Sequence, residues 1–375
     1  MTDRKVIAAG HICLDITPLF PAGKAGRPEE LLIPGRLLRM DGADVHTGGS
    51  VANTGLAMKK LGADVRLMGK IGDDAFGRMI LDVLAAHGCD GRRDMILDSD
   101  AVTSYSVVLA VPGSDRIFLH APGANDTFSS TDLDMAAVAE ADLFHFGYPP
   151  LMRKMYENDG AELISMFRTV KKLGLATSLD MAAVDPASEA GAVNWRGLLE
   201  KLLPYVDFFL PSAEELCFML DRDRWQEWMR RCPGGDVTET LEPERDIRPL
   251  ADKLMDMGAA AVLIKCGAPG LYYKTADRRR LSGIGAKAGI DPAVWADREG
   301  FQKSYVPDRI CSATGAGDTC IAAFLTAMLS GRDPESCFRL AAAEGASCVE
   351  SYDALSGLKS LEELEKKIAA GWAEQ

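Results

Sequence analysis

The chain has 375 residues, 47% of them apolar, which suffices for one large α/β domain or two smaller ones with a substantial core. Forty-two basic against 55 acidic residues leave a net charge of −13, which argues against a general affinity for nucleic acid or an anionic membrane. Nine scattered cysteines without a C-x-x-C pair exclude a disulfide framework or zinc site, and no secretory h-region or bilayer-length apolar run is present, so a cytoplasmic protein is expected.

The first strand is predicted over 5–9, and Gly10-His11-Ile12-Cys13-Leu14-Asp15 follows it to a carboxylate. Residues 14–46 then break the rhythm and read as strands of a small separate sheet. His46-Thr47-Gly48-Gly49-Ser50-Val51-Ala52-Asn53-Thr54-Gly55 opens a helix that continues through Leu56, Ala57 and Leu61 and stops at Gly62. A strand-like 63–70 leads to Ile71-Gly72-Asp73-Asp74-Ala75-Phe76-Gly77 and a helical pattern at 75–87. Residues 101–121, with the alternating 104–109 and the hairpin-like Pro112-Gly113-Ser114-Asp115, again read as small-sheet strands.

Beyond this point apolar runs at 142–146, 175–179, 206–210 and 260–264 alternate with helical patterns at 159–173, 191–203, 246–257 and 334–349. Such alternation predicts an α/β fold with a doubly wound, mostly parallel sheet flanked by helices. Ligands bind at the carboxyl ends of such strands, where Asp15, Asp180, Ser212 and Lys265 are expected to converge. The polar segments 221–247 and 277–304 read as surface insertions of undetermined role.

Ala313-Thr314-Gly315-Ala316-Gly317-Asp318-Thr319 is the most telling stretch, because two glycines open an apolar helix carried by Ile321, Phe324, Leu325, Met328 and Leu329. The first N–H groups of a helix lack internal partners and lie at the positive end of its dipole, so they favour an anion that glycine lets approach. Asp318 places a lone carboxylate beside them. Ordinary capping chemistry would use the same residues, but the second glycine-rich helix start at Gly48-Gly49 makes capping alone an insufficient account.

The two signatures, in this order, resemble those of the ribokinase-like, or PfkB, carbohydrate kinases over nearly the whole chain. The resemblance implies a single ribokinase-like domain, 1–375, with a small β-sheet lid inserted from about 14–46 and 101–121. It implies ATP-dependent transfer of a phosphoryl group to a primary hydroxyl of a sugar or sugar-like small molecule. Asp318 would be the catalytic base, with Gly315, Ala316 and Gly317 supplying amides to the developing charge. Asp15, Gly48, Gly49 and Asn53 would bind the sugar; Lys265, Gly267, Gly270 and Thr314 would bind the nucleotide. The family's Asn-x-x-Glu magnesium motif falls on Ser212-Ala213-Glu214-Glu215, so Glu215 would hold Mg2+ through water, while Ser212 and Glu215 equally spell a capping box. Asp180 carries over weakly because Ala182 occupies the family's asparagine position, and Ser312 in place of an aspartate puts potassium activation in doubt. Lid strands in this family often pair between subunits, which makes a homodimer an expectation.

Two rival functions share the fold: a nucleoside kinase, and a catalytically silent sugar- or nucleotide-binding sensor motivated by Ser212 and Ala182. An NAD-dependent oxidoreductase would need a glycine fingerprint after the first strand, which Gly10-His11-Ile12-Cys13-Leu14-Asp15 lacks. Gly283-Ile284-Gly285-Ala286-Lys287-Ala288 fits such a pattern by chance, since it follows Arg278-Arg279-Arg280 in a polar segment rather than an opening strand.

Overall fold

Thirteen strands divide between two sheets in the computed structural model, which describes residues 4–21, 23, 26, 28–112, 116–232 and 236–375. In chain order they are β1 (Lys5–Gly10), β2 (Cys13–Leu19), β3 (Gly42–Gly48), β4 (Asp64–Gly72), β5 (Met95–Asp98), β6 (Tyr105–Leu109) and β7 (Ile117–Ala121). The remainder are β8 (Leu143–Gly147), β9 (Ala176–Asp180), β10 (Phe208–Phe209), β11 (Ala261–Lys265), β12 (Gly270–Thr275) and β13 (Glu299–Lys303). The large sheet runs β13-β12-β11-β10-β9-β8-β1-β4-β5 and is parallel except at β12, which is antiparallel to both neighbours.

Both faces of this sheet are covered, as its near-continuous apolar strands require. On one face pack the helices Ser50–Lys60, Ala316–Leu329 and Pro334–Cys348; on the other pack Arg153–Lys172, Trp195–Leu202, Ala213–Leu220 and Arg248–Asp256. The Ala316–Leu329 helix is buried at every residue from Asp318 onward, because it lies between the Ser50–Lys60 and Pro334–Cys348 helices as well as against the sheet. Its apolar spacing therefore reports a fully enclosed helix rather than a half-exposed one.

The second sheet has the order β3-β2-β6-β7, built from the two segments that break the αβ rhythm. Asp15 lies within β2, opposite His46 on one side and Ser106 on the other, rather than in a turn after β1. The hairpin-like residues 113–115 lie outside the described residues.

The segments expected to be surface insertions are partly structural. Residues 277–304 bury Leu281, Ile284 and Trp295 in the core and supply β13, which extends the large sheet by one strand. Residues 221–247 form the Arg222–Arg231 helix and bury Trp228, Val237 and Ile247. Isolated large apolar residues in both polar stretches carried this signal, and the charged residues around them masked it.

Glu344 is a buried carboxyl away from the carboxyl ends of the strands. With no solvent exposure, it accepts a hydrogen bond from the Lys359 backbone N–H on Oε1 at 3.1 Å, and its Oε2 has no partner. Burial pushes its pKa up to about 8, although Lys359 and Lys60 pull the other way. It is protonated in the fold and ionised in the unfolded chain above the ordinary carboxylate range. Its stabilising contribution is thus complete at acid pH and falls by up to about 1.4 kcal/mol per pH unit as pH rises toward about 8. Glu344→Gln should match the wild type in urea unfolding at about pH 5 and exceed it at about pH 8.

Candidate active site

Gly10, Gly147 and Asp180 stand side by side at the carboxyl ends of β1, β8 and β9, and Ser212 bridges Lys265 where β10 and β11 end. Of the four residues expected at strand ends, three are here. Asp15 reaches the same region from β2, close enough for its charge and that of Asp318 to act on one another.

Asp318 enters from the opposite side, in the first turn of the Ala316–Leu329 helix, and is 4% exposed. Gly315 caps this helix in the left-handed region, with φ at 76°, where a side chain would also meet Ala354 Cβ at 2.2 Å. The carboxylate accepts hydrogen bonds from Asn53 Nδ2 and Thr54 Oγ1, each at 3.1 Å, and from the Tyr148 hydroxyl at 2.8 Å to both oxygens. Burial raises the Asp318 pKa above the ordinary value, while Lys265 and these three donors act to lower it. Burial also holds the Tyr148 phenol well above its ordinary pKa, assisted by the charges of Asp318 and Asp180. The phenol therefore keeps its proton and donates it.

Lys265 lies over the start of the same helix, its Nζ and aliphatic stem 3.5 to 3.6 Å from where a Gly317 side chain would begin. Its Nζ is 2.7 Å from Asp180 Oδ1. Burial alone would push the ammonium down, but Asp180, Glu215 and Asp318 outweigh it and hold the pKa above the ordinary value. Burial lifts Asp180, and the neighbouring Glu215 and Asp318 charges add to that against the pull of Lys265. Three carboxyl groups thus share one ammonium in a region of restricted solvent, and burial pushes the Asp180 pKa up to about 8.

A cavity of about 470 Å³ opens from Asp318 toward the far edge of the large sheet, a size suited to a small-molecule ligand. Gly315, Ala316, Gly317, Lys265, Gly267, Gly270 and Glu215 all line it. Thr314 lies just outside, its hydroxyl accepting from Arg116 and from Ser312 Oγ. Gly267 and Gly270 also have structural work: side chains there would meet Thr238 Oγ1 at 2.2 Å and the Gln302 carbonyl at 2.1 Å. Thr238 and Asp236, from the 221–247 segment, form part of the cavity wall.

Glu215 completes a capping box with Ser212, its Oε2 accepting from the Ser212 N–H at 2.9 Å. This occupies one oxygen and leaves the other for the cavity. Asn53 points its amide at Asp318 rather than away from it. Gly48 and Gly49 bring the chain against Asp15 and His11, where added side chains would fall 2.2 Å from Asp15 Oδ2 and 2.6 Å from the His11 carbonyl. His46 pairs with Asp44 at 2.7 Å.

Sequence reasoning missed Tyr148 and Thr54. Gly147-Tyr148-Pro149-Pro150 ends a strand of the central sheet, so the rule that ligands gather at strand ends pointed to it. Thr54 follows Asn53 within a helix and carries no separate signal. It also missed the facing imidazoles of His11 and His120, 3.4 Å apart between Nε2 atoms, both kept below the ordinary histidine pKa by burial.

The model of the pfkB family carbohydrate kinases matches residues 24–361. A sugar kinase of Archaeoglobus fulgidus without an assigned substrate is 26% identical over 303 residues, covering 81% of this chain and 98% of that protein. The ribokinase of Arabidopsis thaliana is 26% identical over 320 residues, 83% of this chain and 69% of its own. The solved structure of Arabidopsis thaliana ribokinase complexed with ribose and ATP superposes with a TM-score of 0.69 at 22% identity, covering 98% of each chain. The likeness shows that the fold is ribokinase-like.

The two glycines flanking Ala316 should respond differently to substitution. Gly315→Ala forces a side chain into the left-handed region against Ala354 and should cost at least ~1–3 kcal/mol in urea unfolding. Gly317→Ala meets only ordinary contacts and should leave the unfolding midpoint nearly unchanged.

Proposed function

The chain belongs to the pfkB family of carbohydrate kinases, and from that premise we propose that it transfers a phosphoryl group from ATP to a primary hydroxyl of a sugar or sugar-like molecule. The observation that carries this reading is the buried Asp318 carboxylate, held within the first turn of a helix whose N-terminal residues line a cavity of about 470 Å³.

Asp318 accepts the proton of the acceptor hydroxyl as its oxygen attacks. Its raised pKa suits a base that must take a proton and give it up again. The amides of Gly315, Ala316 and Gly317, at the positive end of the helix dipole, stabilise charge developing on the transferred group. Lys265 adds a full positive charge over the same amides, and Gly267 and Gly270 let the nucleotide lie against the backbone. Asp15, with Gly48 and Gly49, orients the acceptor through its hydroxyls, and Asn53 holds the base in place. Thr314 steadies the loop leading to the anion site.

The residues present fit a hydrated divalent ion. Asp180, Glu215 and Asp318 outnumber Lys265, yet among the described residues no three His, Cys, Asp or Glu side chains could hold a metal ion unaided. Magnesium keeps most of its waters in such a setting, and when bound it would neutralise phosphate charge during transfer. Glu215 would reach it through water. Ser312 beside Thr314 supports no requirement for potassium.

The four-stranded sheet acts as a lid over the acceptor in this reading, and its edge strand β7 exposes Ile117, Phe118 and Leu119, which supports pairing of two copies. Phe118→Lys should then shift the wild-type dimer toward monomer in analytical ultracentrifugation. Among the described residues no helix is long and apolar enough to cross a membrane, and the acidic balance gives no basis for nucleic-acid binding; a cytoplasmic location follows the family reading.

The deciding experiment is ADP release from ATP and magnesium across hexoses, pentoses, keto-deoxy acids, polyols and nucleosides. Turnover on one sugar should fall by at least ~10²–10⁴-fold in Asp318→Ala and vanish when magnesium is chelated. Turnover on nucleosides would instead make the protein a nucleoside kinase. Ligand-induced shifts in melting temperature without any turnover would make it a sensor.

A further inference from the structure

The Tyr148 hydroxyl lies 2.8 Å from both oxygens of Asp318. A carboxylate offers about four lone-pair directions in all. Thr54 takes one on Oδ1 and Asn53 one on Oδ2, and the phenol, shared between the two oxygens, lies across the inner pair. An incoming hydroxyl can reach the base only by displacing one of these donors.

The three donors are not equally replaceable. Asn53 and Thr54 sit on the Ser50–Lys60 helix, where every residue from Ser50 to Met58 is buried. Each makes its own hydrogen bond to one oxygen. The phenol divides a single proton between two acceptors, a weaker arrangement than one linear bond to an anionic oxygen. Tyr148 also stands where the chain leaves β8, its backbone in the left-handed region with φ 67° and ψ 42°, ahead of Pro149 and Pro150. A tyrosine in that conformation is held there at a cost its surroundings must offset. Its ring lies 5.9 Å from that of His11, which in turn lies 5.2 Å from His120 of β7, and its side chain borders the cavity. Tyr148 therefore stands between the cavity and the small sheet, where the acceptor would approach Asp318.

We propose that Tyr148 is a positioning residue whose hydroxyl occupies the acceptor's place on Asp318 until an acceptor displaces it, thereby keeping water from the base. This rests on the kinase reading. A water in that place would attack the nucleotide and hydrolyse it, with Asp318 taking the proton; the phenol blocks it while its hydroxyl sits 2.8 Å from both carboxylate oxygens. A bound acceptor makes one linear hydrogen bond to one carboxylate oxygen and is held in addition by its other hydroxyls, an advantage that water lacks.

Tyr148→Phe keeps the ring and removes the hydroxyl. Relative to the wild type, ADP release without acceptor should rise about fivefold or more, the factor expected for one net hydrogen bond. The acceptor KM should fall by a similar factor while kcat moves less, and the ATP KM and melting temperature should stay close to wild-type values. A purely structural tyrosine would instead leave acceptor-free hydrolysis unchanged and leave the acceptor KM equal or higher, which overturns the proposal. If Tyr148→Phe fails to fold, 3-fluorotyrosine at 148 is the second test: its more acidic phenol should grip Asp318 harder and raise the acceptor KM, and an unchanged KM overturns the proposal. Absence of wild-type turnover on every acceptor removes the kinase reading itself. Wild-type turnover matched by Tyr148→Phe in both KM and acceptor-free hydrolysis removes only the role given to Tyr148.

Discussion

Burying a carboxylate is costly unless donors and an opposite charge replace the water it loses. Asp318 is buried, and the arrangement of the strand ends can be understood as the set of conditions that keep it there. The Ser50–Lys60 helix brings Asn53 and Thr54, β8 brings Tyr148, and β11 brings Lys265. Each of these elements is fixed by its own burial in the core, so the carboxylate is held by groups that the sheet and helices already hold. His145 strengthens the same frame: buried and neutral, with its pKa lowered to about 3, it joins Ser50 at the helix start to Ser178 on β9.

Charge balance sets the second constraint. One ammonium faces Asp180, Glu215 and Asp318, and the neighbouring helix start offers only partial positive charge. A polyphosphate brought beside these carboxyl groups would add negative charge that the one ammonium cannot balance, whereas a hydrated divalent ion arriving with it would. The proposed requirement for magnesium follows from that balance, and Glu215 can serve it with the oxygen its capping box leaves over.

The elements that the sequence made legible are those whose signal is local. Alternating apolar runs and helical spacing located the strands of the large sheet, and the two breaks in that rhythm located the small one. The glycine pairs at 48–49 and 315–317 marked the helix starts. The polar segments 221–247 and 277–304 read as surface insertions although each also buries core residues, because a single Trp228 or Trp295 among charged residues has no periodic pattern to betray its burial. The packing of Thr238 against Gly267 is equally invisible in the sequence, since it joins residues on separate elements.

By itself, then, the amino-acid sequence determined the fold class, the order of its elements and the family, because periodicity and glycine-rich signatures are properties of short stretches. It also named Asp318 as the residue around which a kinase reading must turn. Only the tertiary structure decided what Asp318 touches. Asn53 turned out to hold that carboxylate, Asp180 to pair with Lys265, and Tyr148 to donate to both oxygens of Asp318 from 170 positions away. Hydrogen bonds and burial depend on distances in space, and a residue's neighbours in the chain carry almost no information about partners brought to it by a sheet whose strand order departs from sequence order.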